Sequence, residues 1–507
     1  MKTVFVLLDS LNRNAMECYG STQVHTPNFT RFADRAITFD NHYVGSLPCI
    51  PARRDLHTGR YNFLHRSWGP LEPFDDSLPE LLKQSGTYSH IVTDHHHYFA
   101  DGGGTYHQRY SSWELVRGQA IDRWKAHVNP DTSALKQSYH QSQHHRLNYM
   151  INSEYVSDEA DYCGPQVFNL AHEFLMKNHS EQDWLLQLEC FDPHEPFHAP
   201  QRFRDMYPRQ YSGPILDWPI YDRVTETPEE IAELRANYAA LTTMCDEYFG
   251  KLLDFFDEND LWKDTCLILT TDHGFLLGEH DWWAKNRMPV YDEIARIPLM
   301  IYHPEYAAQG GTRRESLTQT IDIMPTVLQF HNQPVPQDVM GKALLPLLQS
   351  DEPLRDAAIY GYFGAACNVT DGRYVYYRYP EVMNADELYE YTLMPTRMTS
   401  RFAISELVDA TLVEPFSFSK GVPLLKLKPR TDDEGIPLEV QGLTLADTQT
   451  ALFDLQTDPE QKNPISVPDV EARLVQAMVR LMREADAPAE LFTRFNLPLS
   501  GSGAAND

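Results

Sequence analysis

Val4 to Leu8 is an unbroken apolar run, the pattern of a strand buried on both faces, and it stops at the polar pair Asp9-Ser10. A second run starts near Tyr88 and closes at Val92-Thr93. A third, Trp184 to Leu188, ends just before Phe191-Asp192-Pro193-His194. Cys266 to Thr271 leads into Asp272-His273-Gly274, and Pro298 to Tyr302 makes a fifth run. Helical spacing separates these runs. It is clearest over Pro228 to Asp257, where Leu234, Tyr238, Leu241, Cys245, Tyr248, Leu252 and Phe255 recur along one face. Strands alternating with helices predict an α/β fold with a large, mostly parallel sheet flanked by helices. In such sheets ligands gather at the carboxyl ends of the strands. Four of the five runs end in polar residues, so those ends are the candidate site.

The periodicity weakens over about 120–164, a polar stretch rich in His and Gln around Gln141-Ser142-Gln143-His144-His145. It reads as an insertion, either a lid or an oligomer contact. Composition changes again after Leu348, where Ile359 to Tyr362 and Tyr374 to Tyr379 read as strands and Asp469 to Glu484 as a helix. The predicted layout is a main α/β domain over 1–350, a smaller α+β C-terminal subdomain over 351–499 and a small, polar, disordered tail at 500–507. No internal repeat is visible.

Of the 507 residues 42% are hydrophobic and 23% charged, enough for a sizeable core. Lys plus Arg number 43 against 72 Asp plus Glu, a net charge of −29. That excess removes the basic footprint a nucleic acid or an anionic membrane would need, so neither is an expected partner. An anionic substrate must therefore meet a local cationic pocket. Seven scattered cysteines, an odd number, do not read as a disulfide framework. The first apolar run is too short for a signal peptide and meets Asp9 at once, and no stretch has the length of a membrane span. The expectation is a cytoplasmic protein with reduced thiols, in which the Asn-X-Ser/Thr triplets at Asn28, Asn178 and Asn368 are chance matches.

The segment Cys49-Ile50-Pro51-Ala52-Arg53, followed by Leu56-His57-Thr58-Gly59-Arg60, changes the picture most. A lone Cys is usually a small buried hydrophobe. Here it sits between Pro48 and Pro51 with two arginines after it, and a nearby guanidinium would stabilise an anion at its side chain. Leu56 to Arg60 reads as the start of a helix giving way to a turn. The segment resembles the Cys-x-Pro-x-Arg signature of the formylglycine-dependent (type I) sulfatases of the alkaline phosphatase superfamily. Further motifs resemble that family in its own order. These are Asp9 with Cys18-Tyr19-Gly20, the Asp192-Pro193-His194-Glu195-Pro196-Phe197 stretch, and Thr270 to Gly274 with Leu277 to His280 and Lys285. Later come Ile321 to Leu328, Asp371 to Tyr374 and Leu452 to Pro459, so the resemblance covers nearly the whole chain.

The resemblance implies an alkaline phosphatase-like fold and a sulfatase that hydrolyses a sulfate ester to alcohol and inorganic sulfate. It implies that Cys49 is oxidised to formylglycine by a formylglycine-generating enzyme, and that the aldehyde hydrate is the nucleophile. One divalent metal would be held by Asp9, residue 49, Asp272 and His273, which suits a reaction needing a hard cation on the ester oxygens. Arg53 would hold the charged hydrate and His57 orient or deprotonate it. His194 would give the leaving alcohol a proton, or Lys285 would stabilise it. Two departures stand out: Ser10 stands where the family often has a second Asp, which lowers the negative charge of the site, and His273 stands where many members have Asn. An imidazole tilts the choice between calcium and manganese toward manganese and leaves it open.

Where the family often has Gly-Lys-x-His this chain has His95-His96-His97, which puts His95 at the lysine and His97 at the histidine as oxyanion-binding groups. If the segment is extended, those two point to one side. Histidines there would make the charge of the subsite depend on pH. Trp113, Arg117 and Gln119 either face the substrate or pack. Asp101-Gly102-Gly103-Gly104 lacks the Gly-Lys-Ser/Thr of a phosphate loop. His194-Glu195-Pro196-Phe197-His198 fits the zinc-protease string, but Pro193, Pro196 and Pro200 argue against the helix that chemistry needs.

The close competitor is a phosphonate monoester or phosphodiester hydrolase using the same residues; a catalytically dead binding protein is a third reading. The alcohol half of the substrate, a small molecule or a saccharide, is built by loops and is not legible. The net charge favours a small substrate over a long sulfated polymer. Whether the chain forms a homo-oligomer is left open, with the aromatics near Tyr376 to Tyr379 and Tyr389 to Tyr391 fitting either an interface or internal packing.

Overall fold

In a computed structural model the structure describes residues 1–498, apart from 288, 433–434, 436 and 439–446. The predicted tail at 500–507 lies outside the described residues. Lys2–Leu8 runs through the middle of an eight-stranded sheet, parallel to Thr265–Thr270 on one side and Trp184–Cys190 on the other. All seven of its residues are buried, which is why the run shows no alternation. Its odd and even residues still serve different faces. Val4, Val6 and Leu8 join the core under the helices Cys163–Asn178 and Pro228–Glu258. Phe5 and Leu7 join the core under Leu78–Gln84 and Ile323–Phe330.

Tyr88–Thr93 and Ser112–Leu115 continue the parallel sheet past Trp184–Cys190. On the opposite side Leu299–Tyr302 runs antiparallel to Thr265–Thr270, followed by Ile37–Phe39 and Arg313–Arg314. The sheet is mixed, with one strand reversed, and the expected mostly parallel α/β architecture holds. The helix Pro228–Glu258 starts where the sequence places it: Thr227 and Glu230 form a capping box and Pro228 takes the first turn.

Register explains the site. Leu7 pairs with Thr270, so Asp9 and Asp272, each two residues on, leave adjacent strands side by side. Cys49 enters from a second sheet of five strands. Its order is Ala451–Asp454, Tyr374–Tyr377, Ala366–Thr370, Ala358–Tyr362 and Ser46–Leu47. The C-terminal strands thus hold the short strand that delivers Cys49, and the helix Pro468–Glu484 packs on them through Leu474, Met478 and Met482. A three-stranded sheet of Glu390–Thr392, Leu424–Leu427 and Thr411–Val413 completes this part. Among the described residues no helix is long and apolar enough to cross a membrane, and all seven cysteines are free.

Candidate active site

Cys49 opens the helix Cys49–Thr58, every residue of which is buried. Leu56-His57-Thr58 is therefore the last turn of that helix rather than its first. Gly59 ends it in the left-handed region at φ 66°, its N–H bonding the Asp55 carbonyl. Four residues on from Cys49, Arg53 lies on the same helix face. Its Nη2 donates to Asp9 at 2.8 Å, its Nη1 to Asp272 at 2.5 Å and its Nε to Glu189 at 2.7 Å. The guanidinium also bonds the Cys49 carbonyl at 3.2 Å. Arg53 thus serves three carboxylates, and its hydrogen bonds do not reach the thiol. Burial pushes the Cys49 thiol well above the usual range, with Lys285 and Arg53 opposing and Asp9 and Asp272 adding to it. The unmodified side chain is a neutral thiol and a weak nucleophile.

Asp9, Cys49, Asp272 and His273 bring one ligand atom each to within 4.8 Å of one another, and all four are buried. Burial works against the Asp9 carboxylate, but Arg53, His194, Lys285 and His273 outweigh it and hold its pKa well below the usual range. The Nδ1 of His273 faces the Gly274 carbonyl at 2.9 Å, and a carbonyl only accepts, so Nδ1 carries the proton. Nε2 is left as a lone pair pointing at the cluster, 3.2 Å from Cys49 Sγ. This is the tautomer a metal ligand requires, fixed by a backbone group behind it. Asp9, Asp272 and Glu189 face two cations, Arg53 and Lys285, so the ion pairs leave one carboxylate charge unmatched. The donor set and the surplus charge both fit a divalent cation.

Ser10, at the position that lowers the acidic charge, links two groups. Its hydroxyl bonds Asp9 at 2.7 Å and accepts from Lys285 Nζ at 2.7 Å. Burial works against the Lys285 ammonium, while Cys49, Glu195, Asp9 and Asp272 outweigh it, so its pKa is raised and it stays charged. Ser10, Ala284 and Asn286 take positive φ of 60°, 73° and 83°, an unusual density of strained backbone around one site.

His194 also comes to this pocket. Its Nδ1 donates to the Glu195 carbonyl at 2.6 Å, and burial and Lys285 lower its pKa well below the usual range. It is therefore neutral with a bare Nε2, better placed to take a proton than to give one. Residues 191–200 form no helix, and His198 turns to Tyr162, so the zinc-protease string has no geometric basis here.

His95, His96 and His97 bring ring nitrogens to within 4.8 Å of one another on the same pocket. The segment does not stay extended: His95 is, but His96–Phe99 turns into a 3-10 helix. The turn gathers the three rings that an extended chain would separate. Among the described residues neither ring nitrogen of His95 or of His96 has a hydrogen-bond partner, nor does Nδ1 of His97. Burial lowers the pKa of all three, His96 to about 4. They are neutral across the physiological range, so the expected pH-dependent charge does not arise from them.

Two expected residues lie elsewhere. His57 is eight residues along the helix from Cys49, roughly 12 Å of rise. It bonds Ser77 at 2.9 Å and packs edge-on to Tyr106 and Tyr110, with burial lowering its pKa to about 3. Arg117 pairs with Asp122 at 2.7 Å and also bonds the Arg123 carbonyl. Trp113 is on the edge strand Ser112–Leu115, and Gln119 bridges Asp94 and Asp192 at 3.2 and 2.8 Å. Glu189 was missed by sequence reasoning. Its signal was a lone acid inside a buried apolar run, and Tyr98 and Gln187 hold its second oxygen.

These groups open on a cavity of about 360 Å³. Its deep end is Cys49, Lys285, His194 and Glu195; its outer wall includes Trp68, Phe191, Trp218, Tyr221, Arg146 and Arg287. A larger groove of about 500 Å³ between Gly20–Val24 and Arg235–Ala239 contains none of the clustered acids and histidines. The polar stretch 120–164 supplies Arg146 to the outer wall. Its Gln143 and Tyr149 both bond Asp217, and its Tyr139, Tyr149 and Met150 pack with Phe191 and Trp218.

A family model described as Sulfatase matches residues 2–332, and one described as N-sulphoglucosamine sulphohydrolase, C-terminal, matches 278–411. An N-acetylglucosamine-6-O-sulfatase of Bacteroides thetaiotaomicron is 25% identical over 419 residues, covering 71% of this chain and 74% of that protein. Among solved structures, one bound to its substrate D-glucosamine-2-N,6-O-disulfate superposes with a TM-score of 0.66 at 17% identity, covering 96% of this chain and 98% of that one. A phosphonate monoester hydrolase of Agrobacterium radiobacter superposes at 0.63 with 19% identity, covering 96% and 95%. At these identities the two structures speak for the fold.

Proposed function

The chain belongs to the sulfatase family and is a sulfuric ester hydrolase; from that premise we propose that its reaction centre is residue 49, as formylglycine, beside one calcium or manganese ion. The observation that carries this reading is the convergence of Asp9, Cys49, Asp272 and His273 on one point, with the bare Nε2 of His273 aimed at it. Bound there, the hydrated aldehyde and the metal supply an oxygen nucleophile and neutralise charge on the ester.

The remaining work falls to the chain's own side chains. Arg53 ties Asp9, Asp272 and Glu189 together and fixes the helix turn that presents residue 49. His95 and His97, neutral and without protein partners at the nitrogens named above, donate N–H groups to the sulfate oxygens. Lys285 keeps its positive charge in a buried setting, which suits it to stabilise the developing negative charge. His194 holds its proton on Nδ1 and offers Nε2 as the acceptor for a proton leaving the site. His57 and Arg117 take no part in this assignment.

The substrate is a small-molecule or saccharide sulfate ester. Aromatic walls at Trp68, Trp218 and Tyr221 support a ring-shaped alcohol, and the sulfatase named above is one that acts on a sulfated amino sugar. Cys49 is only 4% exposed, so a formylglycine-generating enzyme has to reach it before the fold closes. The test is Cys49→Ala. Turnover of a nitrophenyl sulfate is expected to fall by at least about a thousandfold while metal binding to Asp9, Asp272 and His273 survives in part. Retained turnover would sink the mechanism.

A further inference from the structure

We propose that the outer pocket contains a second oxyanion subsite, built on Arg146 with help from Arg287, which takes a carboxylate or a second sulfate on the alcohol half of the substrate. The inference rests on the sulfate-ester reading and names the substrate class within it: esters whose alcohol carries another negative charge.

Arg146 directly precedes the helix Leu147–Ser153, and its side chain makes no capping bond. Its guanidinium lies over the Trp218 ring, 4.1 Å from the centroid. Among the described residues its side chain has no hydrogen bond and no ion pair. The nearby acid Glu195 attracts it without a direct bond: one carboxylate oxygen accepts from the Tyr221 hydroxyl, and the other has no hydrogen-bond partner among the described residues. Arg146 is thus a half-buried cation with open donors in the wall of the pocket, in a protein whose net charge is −29. Burial pulls its pKa down against the attraction of Glu195 and Tyr221.

Its position is fixed. Gln143 on one side and Tyr149 on the other both bond Asp217, next to Trp218, so the backbone carrying Arg146 is tied to the loop carrying its aromatic platform. Arg287 flanks the same wall. Its Nη1 donates to Asp222 at 2.6 Å and to the Tyr221 carbonyl at 3.2 Å, which orients the fork. Its charge is met by Asp222, so it adds oriented donors, while Arg146 adds a guanidinium whose donors no protein hydrogen bond uses among the described residues. A guanidinium stacked on an aromatic face keeps its edge donors open to a planar or tetrahedral oxyanion.

The experiment compares three probes: 4-nitrophenyl sulfate and its 3-carboxy and 3-sulfo derivatives. Wild-type protein is expected to show a lower KM for at least one doubly charged probe, and which one is favoured tells carboxylate from sulfate. In Arg146→Ala that KM advantage should shrink by about tenfold, and Arg146→Lys should keep part of it. No advantage in the wild type, or an advantage that survives in a folded Arg146→Ala, would overturn the subsite. If no probe is turned over, the sulfate-ester reading fails. The same three probes are then titrated calorimetrically into Cys49→Ala protein with and without Arg146→Ala. A binding preference that depends on Arg146 keeps the subsite, and its absence removes it.

Discussion

At the deep end of the pocket Arg53 bonds Asp9, Asp272 and Glu189, Ser10 joins Asp9 to Lys285, and His273 and His194 are each pinned by a carbonyl. A few residues outward the situation reverses. Among the described residues His95 and His96 have buried ring nitrogens without partners, and Arg146 lies over Trp218 with no side-chain hydrogen bond. Buried polar groups are normally satisfied, so open ones in a cavity wall mark where a ligand completes the bonding. The deep end is preorganised for one chemistry; the outer end is left unfinished for its substrate.

Changes at the two ends should therefore fail differently. The largest effect is expected from Arg53→Ala, which strands three buried carboxylates. Stability should fall by about 3–5 kcal/mol in urea titration, along with all turnover. A variant of near-native stability would mean that the network is not what holds the deep end together. Metal removal comes next. Chelation should abolish turnover of a nitrophenyl sulfate, and re-added calcium or manganese at about a hundred times its Kd should restore it and stabilise the fold by about 2.7 kcal/mol. Turnover indifferent to chelation would contradict the cluster at Asp9, Asp272 and His273. Among the unpartnered groups, His95→Gln keeps a donor in place of a neutral imidazole. KM for a sulfate ester should rise by about tenfold with a flat pH dependence between about 6 and 8, because the native imidazole is neutral there too. A wild-type KM that climbs steeply across that range would show a charged His95.

The smallest effect lies behind the pocket. Asp94 and Asp192 share Gln119, and burial pushes both carboxyls up, Asp192 to about 7, with Asp192 adding to the rise at Asp94. Raised carboxyls favour the folded state most at low pH. Their contribution is complete below the unfolded value near 4 and is lost as pH rises through about 7. Thermal stability should therefore decline between pH 5 and pH 8, and Asp94→Asn should flatten that slope. An unchanged slope would show that the pair is not what titrates.

The same division runs through what the sequence reveals. Lys2–Leu8, Trp184–Cys190 and Thr265–Thr270 are legible because strands buried on both faces must be apolar throughout. The polar residues after them are legible because register alone brings Asp9 beside Asp272. Ile37–Phe39, Ser112–Leu115 and Arg313–Arg314 are not: they are short, lie toward the sheet's edges, and take their conformation from a neighbour. His57 sits two turns from the residue it was expected to serve, a distance that a linear motif hides and a helix makes plain. Arg146, Trp218 and Tyr221 reach the pocket from irregular segments, where no periodicity says which way a side chain faces. Glu189 carried a readable signal, an acid inside an apolar strand, whose partner only the fold supplies.

The most direct test of the central claim is a paired initial-rate measurement on protein co-produced with a formylglycine-generating enzyme. It sets 4-nitrophenyl sulfate against the matching phenylphosphonate ester, each with calcium and with manganese. A higher kcat/KM for the sulfate ester, lost in Cys49→Ala, is the expected result. A preference for the phosphonate ester would make this a phosphonate monoester or phosphodiester hydrolase on the same scaffold and contradict the proposed reaction.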